Sequence, residues 1–232
     1  MDAIYDPETP RAGDHALLVM LPGATHKPHD FARQGFVAAL RKRNLPVDTV
    51  AVDAHLGYYL ERDLTARLTE DVVAPARARG YARIWLLGIS LGGMGALTYA
   101  RAHPEAIAGV VVLAPFLGVQ GTIDEIVRAG GIDRWDPGAI DPQDDERSLL
   151  AWLKGYEAGD PALPQIHLGY GTGDRFVAAS AILADRLPPA RIVAIAGGHD
   201  WKTWGALWEQ LLDRDLFASG EDAPRTAGRD TT

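Results

Sequence analysis

The sequence predicts a single α/β domain, built as a three-layer α/β/α sandwich around a mostly parallel sheet of about six or seven strands. Short apolar runs rich in β-branched residues alternate along the chain with longer segments of helical period, which is typical of βαβ units. The 232 residues, of which 47% are hydrophobic, are enough for one domain with a sizeable core. Two separate domains are therefore not expected.

The strands are predicted from apolar runs bounded by turn residues, and the helices from the periodic segments between them. The strands are predicted at 15–21, 47–52, 83–88, 109–114, 166–170 and 191–196. The helices are predicted at 30–43, 60–79, 91–102, 177–186 and 201–216. In the last helix, Trp201, Trp204 and Trp208 lie on one face, which we expect to pack on the sheet.

The segment 117–163 interrupts this alternation, and we interpret it as a short cap or flap inserted between two strands. It holds ten acidic residues against four basic ones, so it carries most of the formal net charge of −8. Its acidic side chains are expected to be solvated. The segment 218–232 is polar and lacks periodicity, which predicts a disordered tail after a domain that spans 1–217.

Composition and charge exclude several functions. A net charge of −8 disfavours binding to nucleic acids and to anionic membranes, because both need clustered lysine and arginine. The absence of cysteine removes disulfides, thiolate metal sites and a cysteine nucleophile. His26 and His29 lie near Asp30, but this loop lacks a third well-placed ligand, so no metal site is predicted.

The same features indicate where the protein works and on what. The sequence has neither a signal-peptide pattern nor an apolar run of about 18 residues, so we predict a cytoplasmic protein. A small, neutral molecule fits the acidic composition better than an anionic partner does. We expect a monomer or a homodimer, with no membrane or nucleic-acid partner.

A glycine-flanked serine follows the strand predicted at 83–88. The run GISLG at 88–92, with Ser90 at its centre, lies between this strand and the next helix. A serine in a tight strand-to-helix turn is held in a strained conformation with its hydroxyl projecting, and flanking glycines let strand and helix pass closely. The motif predicts that Ser90 is a nucleophile. The alternative is a small residue tolerated in a turn.

A serine nucleophile needs a base within hydrogen-bonding distance and a carboxylate that orients the base. Two later strands of the predicted sheet lead directly to Asp174 and to His199. Because functional residues of open α/β sheets collect beyond the carboxyl ends of the strands, both side chains are predicted to meet Ser90. Taken singly, Asp174 is also a good helix cap, and His199 suits a loop or core position. Asp200 is the rival acid, and we assign it as the cap of the last helix.

The order nucleophile, acid and histidine, each after a successive strand, resembles the α/β-hydrolase superfamily. The resemblance covers about residues 17–212. Within the superfamily, the runs GISLGGMGAL at 88–97 and GGHDW at 197–201 are similar to small, weakly capped esterases of the carboxylesterase and esterase-D-like type. The first antiparallel strands of the full hydrolase sheet have little room before His15, so we expect a trimmed, mostly parallel version of the fold.

This resemblance implies a serine hydrolase that cleaves a carboxylic ester through an acyl-enzyme, with no metal and no organic cofactor. Ser90 attacks the acyl carbon, His199 moves the proton and Asp174 orients the imidazole. The alternatives are a thioesterase, a peptidase or an acyltransferase with the same triad, or a non-catalytic binding module on the same fold. The acidic insertion is expected to repel anionic substrates such as acyl-CoA.

The resemblance also implies an oxyanion hole. One expected donor is the backbone N–H of Leu91, at a helix N-terminus. The other is the N–H of Ala24, in the loop after the first long strand, with Thr25 as its neighbouring candidate. Thr25 is also a candidate for substrate contact.

Aromatic residues are the further candidates for the substrate pocket. Tyr58 and Tyr59 follow the strand at 47–52 on the crevice side, where they are as well suited to line a pocket as to pack. Phe116 and Trp135 belong to the insertion or its hinge and are candidates for apolar substrate contact.

Overall fold

The computed structural model of the protein describes residues 1–7, 15–214 and 216–217. Its strands are β1 (Ala3–Asp6), β2 (Ala16–Leu21), β3 (Val47–Val52), β4 (Ile84–Ile89), β5 (Gly109–Leu113), β6 (Gln165–Gly171) and β7 (Ile192–Ile195). They form one sheet of order β1-β3-β2-β4-β5-β6-β7. β1 pairs antiparallel with β3, and every other pair of neighbours is parallel.

Helices cover both faces of this sheet. They are α1 (Pro28–Arg33), α2 (Phe36–Lys42), α3 (Leu56–Leu60), α4 (Leu64–Leu68), α5 (Ala74–Ala78), α6 (Leu91–Ala102), α7 (Gln120–Ala129), α8 (Asp145–Lys154), α9 (Val177–Ala184) and α10 (Trp201–Leu212). Side chains of α1, α2 and α10 join the core on one face, and those of α4 to α9 join the core on the other. The predicted three-layer sandwich is confirmed.

The central strands β2, β4 and β5 are apolar along their whole length because both of their faces are covered, and β3 also buries Asp48 and Thr49. Every residue of β2, β3, β4 and β5 is buried. Parallel strands with helices on both sides show such continuous apolar runs rather than alternation. Each of the six predicted strands is present, with its ends within one residue of the predicted ends.

The sheet has one strand beyond the six that were predicted, so it is a mostly parallel sheet of seven strands, as expected. β1 adds one antiparallel strand at the edge of the sheet, where Ala3 lies opposite Val52. It has only four residues, and none of them is fully buried. An edge strand of this length has no period strong enough to be recognised from the sequence.

Two predicted helices are interrupted, each for a local reason. The helix predicted at 30–43 is divided into α1 and α2 by Gly35, which has a φ of +83°. The helix predicted at 60–79 contains a π-helical turn at Thr69–Val73, directly before α5. Pro75, in the first turn of α5, has no N–H to donate, which favours a shift of the hydrogen-bond ladder at this point.

The insertion at 117–163 packs into the core instead of standing apart from it. Its apolar side chains, among them Ile126 and Leu150, are fully buried in the larger core cluster. None of its acidic side chains is buried, as predicted. Arg62 ties the insertion to the rest of the chain through an ion pair with Asp145, at 2.8 Å.

Part of the predicted organisation lies outside the described residues, including the tail predicted at 218–232. Among the helices that the structure describes, none is long and apolar enough to span a membrane.

Candidate active site

Ser90 lies in a strained turn between β4 and α6. Its backbone has φ 54° and ψ −117°, a conformation that residues with a side chain rarely adopt. A Cβ on Gly88 would lie 2.2 Å from the carbonyl oxygen of Gly92, and a Cβ on Gly92 would lie 2.2 Å from that of Leu21. Strand and helix pass so closely that both flanking positions require glycine.

The neighbouring strand holds this turn in place. The N–H of Ser90 donates to the carbonyl of Leu113, at the end of β5, over 3.0 Å. The carbonyl of Ser90 accepts from the N–H of Phe116, also over 3.0 Å. Ser90 is only 8% exposed, so its hydroxyl lies below the surface beyond the carboxyl ends of the central strands.

The structure brings Ser90, Asp174 and His199 together from three separate loops. The Nε2 of His199 lies 3.0 Å from the Oγ of Ser90, and its Nδ1 lies 2.8 Å from the Oδ2 of Asp174. An ionised carboxylate only accepts hydrogen bonds, so Nδ1 donates to Asp174. In a neutral imidazole Nε2 then accepts from the serine hydroxyl, which is the arrangement that a general base requires.

The two candidate acids have separate roles. The carboxylate of Asp174 is buried, and its second oxygen accepts the backbone N–H of Phe176 at 2.8 Å. Both oxygens are therefore fixed, which leaves the carboxylate one orientation toward His199. Asp200 instead caps α10, where its side chain accepts the N–H of Thr203 at 2.9 Å. The predicted cap is confirmed.

Two aromatic rings hold the imidazole of His199 in place. Phe176 and Trp204 each lie 4.9 Å from it between ring centroids, at interplanar angles of 86° and 88°. Edge-to-face contacts of this kind favour one ring orientation. The ring of His199 is thus positioned by packing as well as by the hydrogen bond to Asp174.

Two backbone N–H groups are available for an oxyanion. Within the described part of the chain, neither the N–H of Leu91 nor that of Ala24 donates a backbone hydrogen bond. Leu91 is the first residue of α6, where the helix dipole adds positive potential. Both residues line the same cavity as Ser90, whereas Thr25 does not line it.

A cavity of about 1020 Å³ extends from Ser90 along α6. The residues of α6 that line it lie at 91, 94, 95, 98, 101 and 102, which is one face of the helix along its whole length. At 1.5 Å per residue, this face is about 16 Å long. The volume is at the upper end of ordinary ligand pockets, so the cavity has room for a substrate much larger than an acetate ester.

The predicted aromatic contacts divide into two groups. Tyr58, Tyr59 and Phe116 line the cavity, but Trp135 does not. Trp135 is 2% exposed and packs beneath the guanidinium of Arg147, 5.8 Å from its ring centroid. The insertion folds this indole into the core, so its prediction as a substrate contact was wrong.

His26, in the loop after β2, and His29, in α1, belong to no metal cluster among the described residues. His26 packs edge-on against Trp201 and Trp204, with ring centroids 5.0 and 5.5 Å apart, and burial lowers its pKa. His29 is half exposed and lies 3.5 Å from Asp30. No group of three or more metal-ligating side chains is found among the residues that the structure describes.

Comparison with protein families identifies the fold. Residues 18–230 match the model of the alpha/beta hydrolase family. The chain belongs to this family. The superfamily that the sequence resembles is thereby confirmed. A comparison with curated proteins finds no match.

Solved structures share the fold of the hydrolase at low sequence identity. An S-formylglutathione hydrolase from Staphylococcus aureus is 14% identical, with a TM-score of 0.61 over 85% of this chain and 79% of that chain. A ferulic acid esterase is 15% identical, with a TM-score of 0.61 over 91% of both chains. Est1E from Butyrivibrio proteoclasticus is 21% identical, with a TM-score of 0.58 over 91% of this chain and 93% of that chain.

Sequence reasoning missed part of the site of the hydrolase. Phe176, which contacts the imidazole of His199 and lines the cavity, was not singled out, although it follows Asp174 by only two residues. Trp204 was predicted as a core residue and is 1% exposed, but its contact with His199 was not foreseen. For Phe176, its position two residues after the predicted catalytic Asp174 was the one signal in the sequence.

Proposed function

We propose that the hydrolase cleaves a carboxylic ester by nucleophilic catalysis, through an acyl-enzyme intermediate. The observation that carries this proposal is the imidazole of His199, which lies within 3.0 Å of both Ser90 and Asp174. Ester hydrolysis is also the activity in the name of the ferulic acid esterase that shares the fold. A nucleophile, a base and an orienting carboxylate are the groups that acyl transfer to water uses, and their arrangement here supports the proposal.

In the first half of the reaction, the Oγ of Ser90 attacks the acyl carbon while its proton moves to the Nε2 of His199. Asp174 holds the neutral tautomer in place and stabilises the imidazolium that forms. The tetrahedral intermediate then expels the alcohol, which leaves with the proton from His199. The products of this half are the free alcohol and an ester between the acyl group and Ser90.

In the second half, a water molecule attacks the acyl carbon and gives its proton to His199. The carboxylic acid leaves, and the proton returns to the Oγ of Ser90. The N–H groups of Leu91 and Ala24 donate to the oxyanion in both halves. One such donor is typically worth about 3 kcal/mol of transition-state stabilisation, because it is oriented before the charge develops.

The test is a series of p-nitrophenyl esters of increasing acyl length, with release of p-nitrophenolate as the readout. Ser90→Ala is expected to lower kcat by about 10⁴-fold to 10⁶-fold, and Asp174→Asn by about 10⁴-fold, because the loss of the carboxylate disturbs the tautomer of the imidazole. A fluorophosphonate probe should form a covalent adduct at Ser90. Ser148→Ala, a matched serine substitution in α8, should retain both activity and labelling.

Two results would contradict the proposal. One is folded protein that hydrolyses no ester and resists the fluorophosphonate, which favours a binding module. The other is Ser90→Ala with the activity of the wild type, which would assign the chemistry to another residue. Matched thioester and amide substrates, measured beside the oxygen esters, test the other acyl-transfer reactions because the triad alone does not select the leaving group.

A further inference from the structure

The acidic side chains of the cavity all have hydrogen-bond partners in the protein, whereas two of its arginines have no carboxylate partner among the described residues. Four carboxylates line the cavity, and each accepts a hydrogen bond. Asp145 accepts from the guanidinium of Arg62 at 2.8 Å. The other three accept from backbone N–H groups: Glu146 from Val119 at 2.7 Å, Asp144 from Arg147 at 2.9 Å and Asp141 from Gln143 at 2.8 Å. These contacts, with Arg147 a further 3.6 Å from Asp144, hold the acidic wall of the insertion to its own backbone and to two arginines.

Two cavity arginines have no carboxylate partner among the described residues, Arg101 and Arg175. They lie at opposite ends of the cavity. Arg101 is in the last turn of α6, about 16 Å along the helix from Ser90. Arg175 directly follows Asp174, so its backbone is fixed beside the triad.

The guanidinium of Arg175 is held in place without being neutralised. It lies 4.9 Å from the ring centroid of Phe176, the same ring that contacts the imidazole of His199. A cation–π contact orients a guanidinium and leaves its N–H donors at the edge of the plane available. Those donors match the two oxygens of a carboxylate, which a guanidinium binds through two parallel hydrogen bonds.

We propose that Arg175 binds a carboxylate of the substrate beside the scissile bond, so that the hydrolase prefers half-esters of dicarboxylic acids to neutral esters. This proposal rests on the esterase function above. It reverses the expectation from composition that anionic substrates are repelled. Of the four cavity carboxylates, Asp145 and Asp144 are paired with Arg62 and Arg147. The field of the other two is screened over about 8–10 Å in salt, whereas a direct contact with Arg175 is not.

The experiment compares two esters of equal acyl length that differ in one charge: mono-(4-nitrophenyl) adipate, whose carboxylate is too far away for the fast self-cleavage of the shorter half-esters, and its methyl-capped form. In the wild type, kcat/KM is expected to be about tenfold higher for the anionic ester, the gain from one charge-assisted pair. In Arg175→Gln the ratio should fall to about one. Arg175→Lys should give an intermediate ratio, because an ammonium keeps the charge but loses the paired geometry.

Two matched variants separate position from net charge. Arg101→Gln removes the other unpaired arginine of the cavity, and Arg128→Gln removes an arginine of α7 that does not line the cavity. Both should keep the tenfold ratio. A wild-type ratio of one or less, an unchanged ratio in Arg175→Gln, or loss of the ratio in either control would overturn the proposal.

A binding measurement keeps this proposal separable from the esterase function. In the Ser90→Ala background, calorimetry uses the stable 4-nitroanilide analogues of both esters and should show about tenfold tighter binding of the anionic analogue, lost when Arg175→Gln is added. Charge-selective binding without hydrolysis by the wild type would refute the esterase and retain the anion site. Hydrolysis without charge selectivity in either assay would refute the anion site at Arg175 and retain the esterase function.

Discussion

His167 provides a direct test of how burial controls the pH dependence of folding. It lies in β6, opposite Val111 of β5, and is 6% exposed. Neither ring nitrogen has a hydrogen-bond partner among the described residues. Burial, assisted by the charges of Arg191 and Arg214, lowers the pKa of His167 from 6.5 to about 4.

The size of the effect follows from the difference in pKa between the folded and unfolded states. Between pH 6.5 and pH 4 the unfolded chain binds a proton at His167 that the folded chain does not bind. The free energy of unfolding therefore falls as the pH falls through this window, and it is unaffected by this group above it. A pKa lowered by about 2.5 units corresponds to a loss of about 3 kcal/mol.

The assay is urea denaturation at several pH values from 7.5 to about 4, followed by circular dichroism. His167→Leu replaces the ring with an apolar side chain of similar volume, so the variant should lose about 3 kcal/mol less than the wild type over this window. Parallel curves for the wild type and His167→Leu would refute the reasoning.

Two further substitutions test the turn at Ser90 and the cavity wall. Gly92→Ala places a Cβ 2.2 Å from the carbonyl oxygen of Leu21, so the first turn of α6 must shift and kcat on p-nitrophenyl esters should fall by at least about 100-fold. Gly121→Ala in α7, where a Cβ meets nothing within 4 Å, is the control, and equal activity of the two variants would contradict the argument. Tyr59→Phe removes a buried hydroxyl that has no hydrogen-bond partner among the described residues. The free energy of unfolding, measured in urea, should therefore rise by about 1 kcal/mol. A decrease would show that the hydroxyl forms a hydrogen bond in solution.

Local patterns determined the layered architecture and the catalytic candidates. The apolar runs of the central strands are continuous because both faces are covered, so the sequence alone predicted their positions to within one residue. The glycines around Ser90 and the chain positions of Asp174 and His199 likewise depend on short segments, each at the end of a strand. In parallel sheets such ends lie on one side, which is why three distant segments could be expected to meet.

The sequence carries a weaker signal where a residue's environment depends on distant packing. β1 is too short to show a period, and its position depends on pairing with β3, which follows some forty residues later. Trp135 and Phe116 are equally apolar aromatic residues of the insertion or its hinge, yet one is in the core and the other lines the cavity. Only the fold of the insertion distinguishes them.

The balance of charge at the site was also decided by the tertiary structure. Composition shows an acidic chain, and from it a neutral substrate was expected. The three-dimensional arrangement engages the carboxylates of the cavity wall with backbone N–H groups, Arg62 and Arg147, and it leaves Arg175 without a carboxylate partner among the described residues, directly after Asp174. Electrostatic interactions depend on distance and burial, so a count of charges along the chain determines the net field, while only the fold determines which single charge faces the substrate.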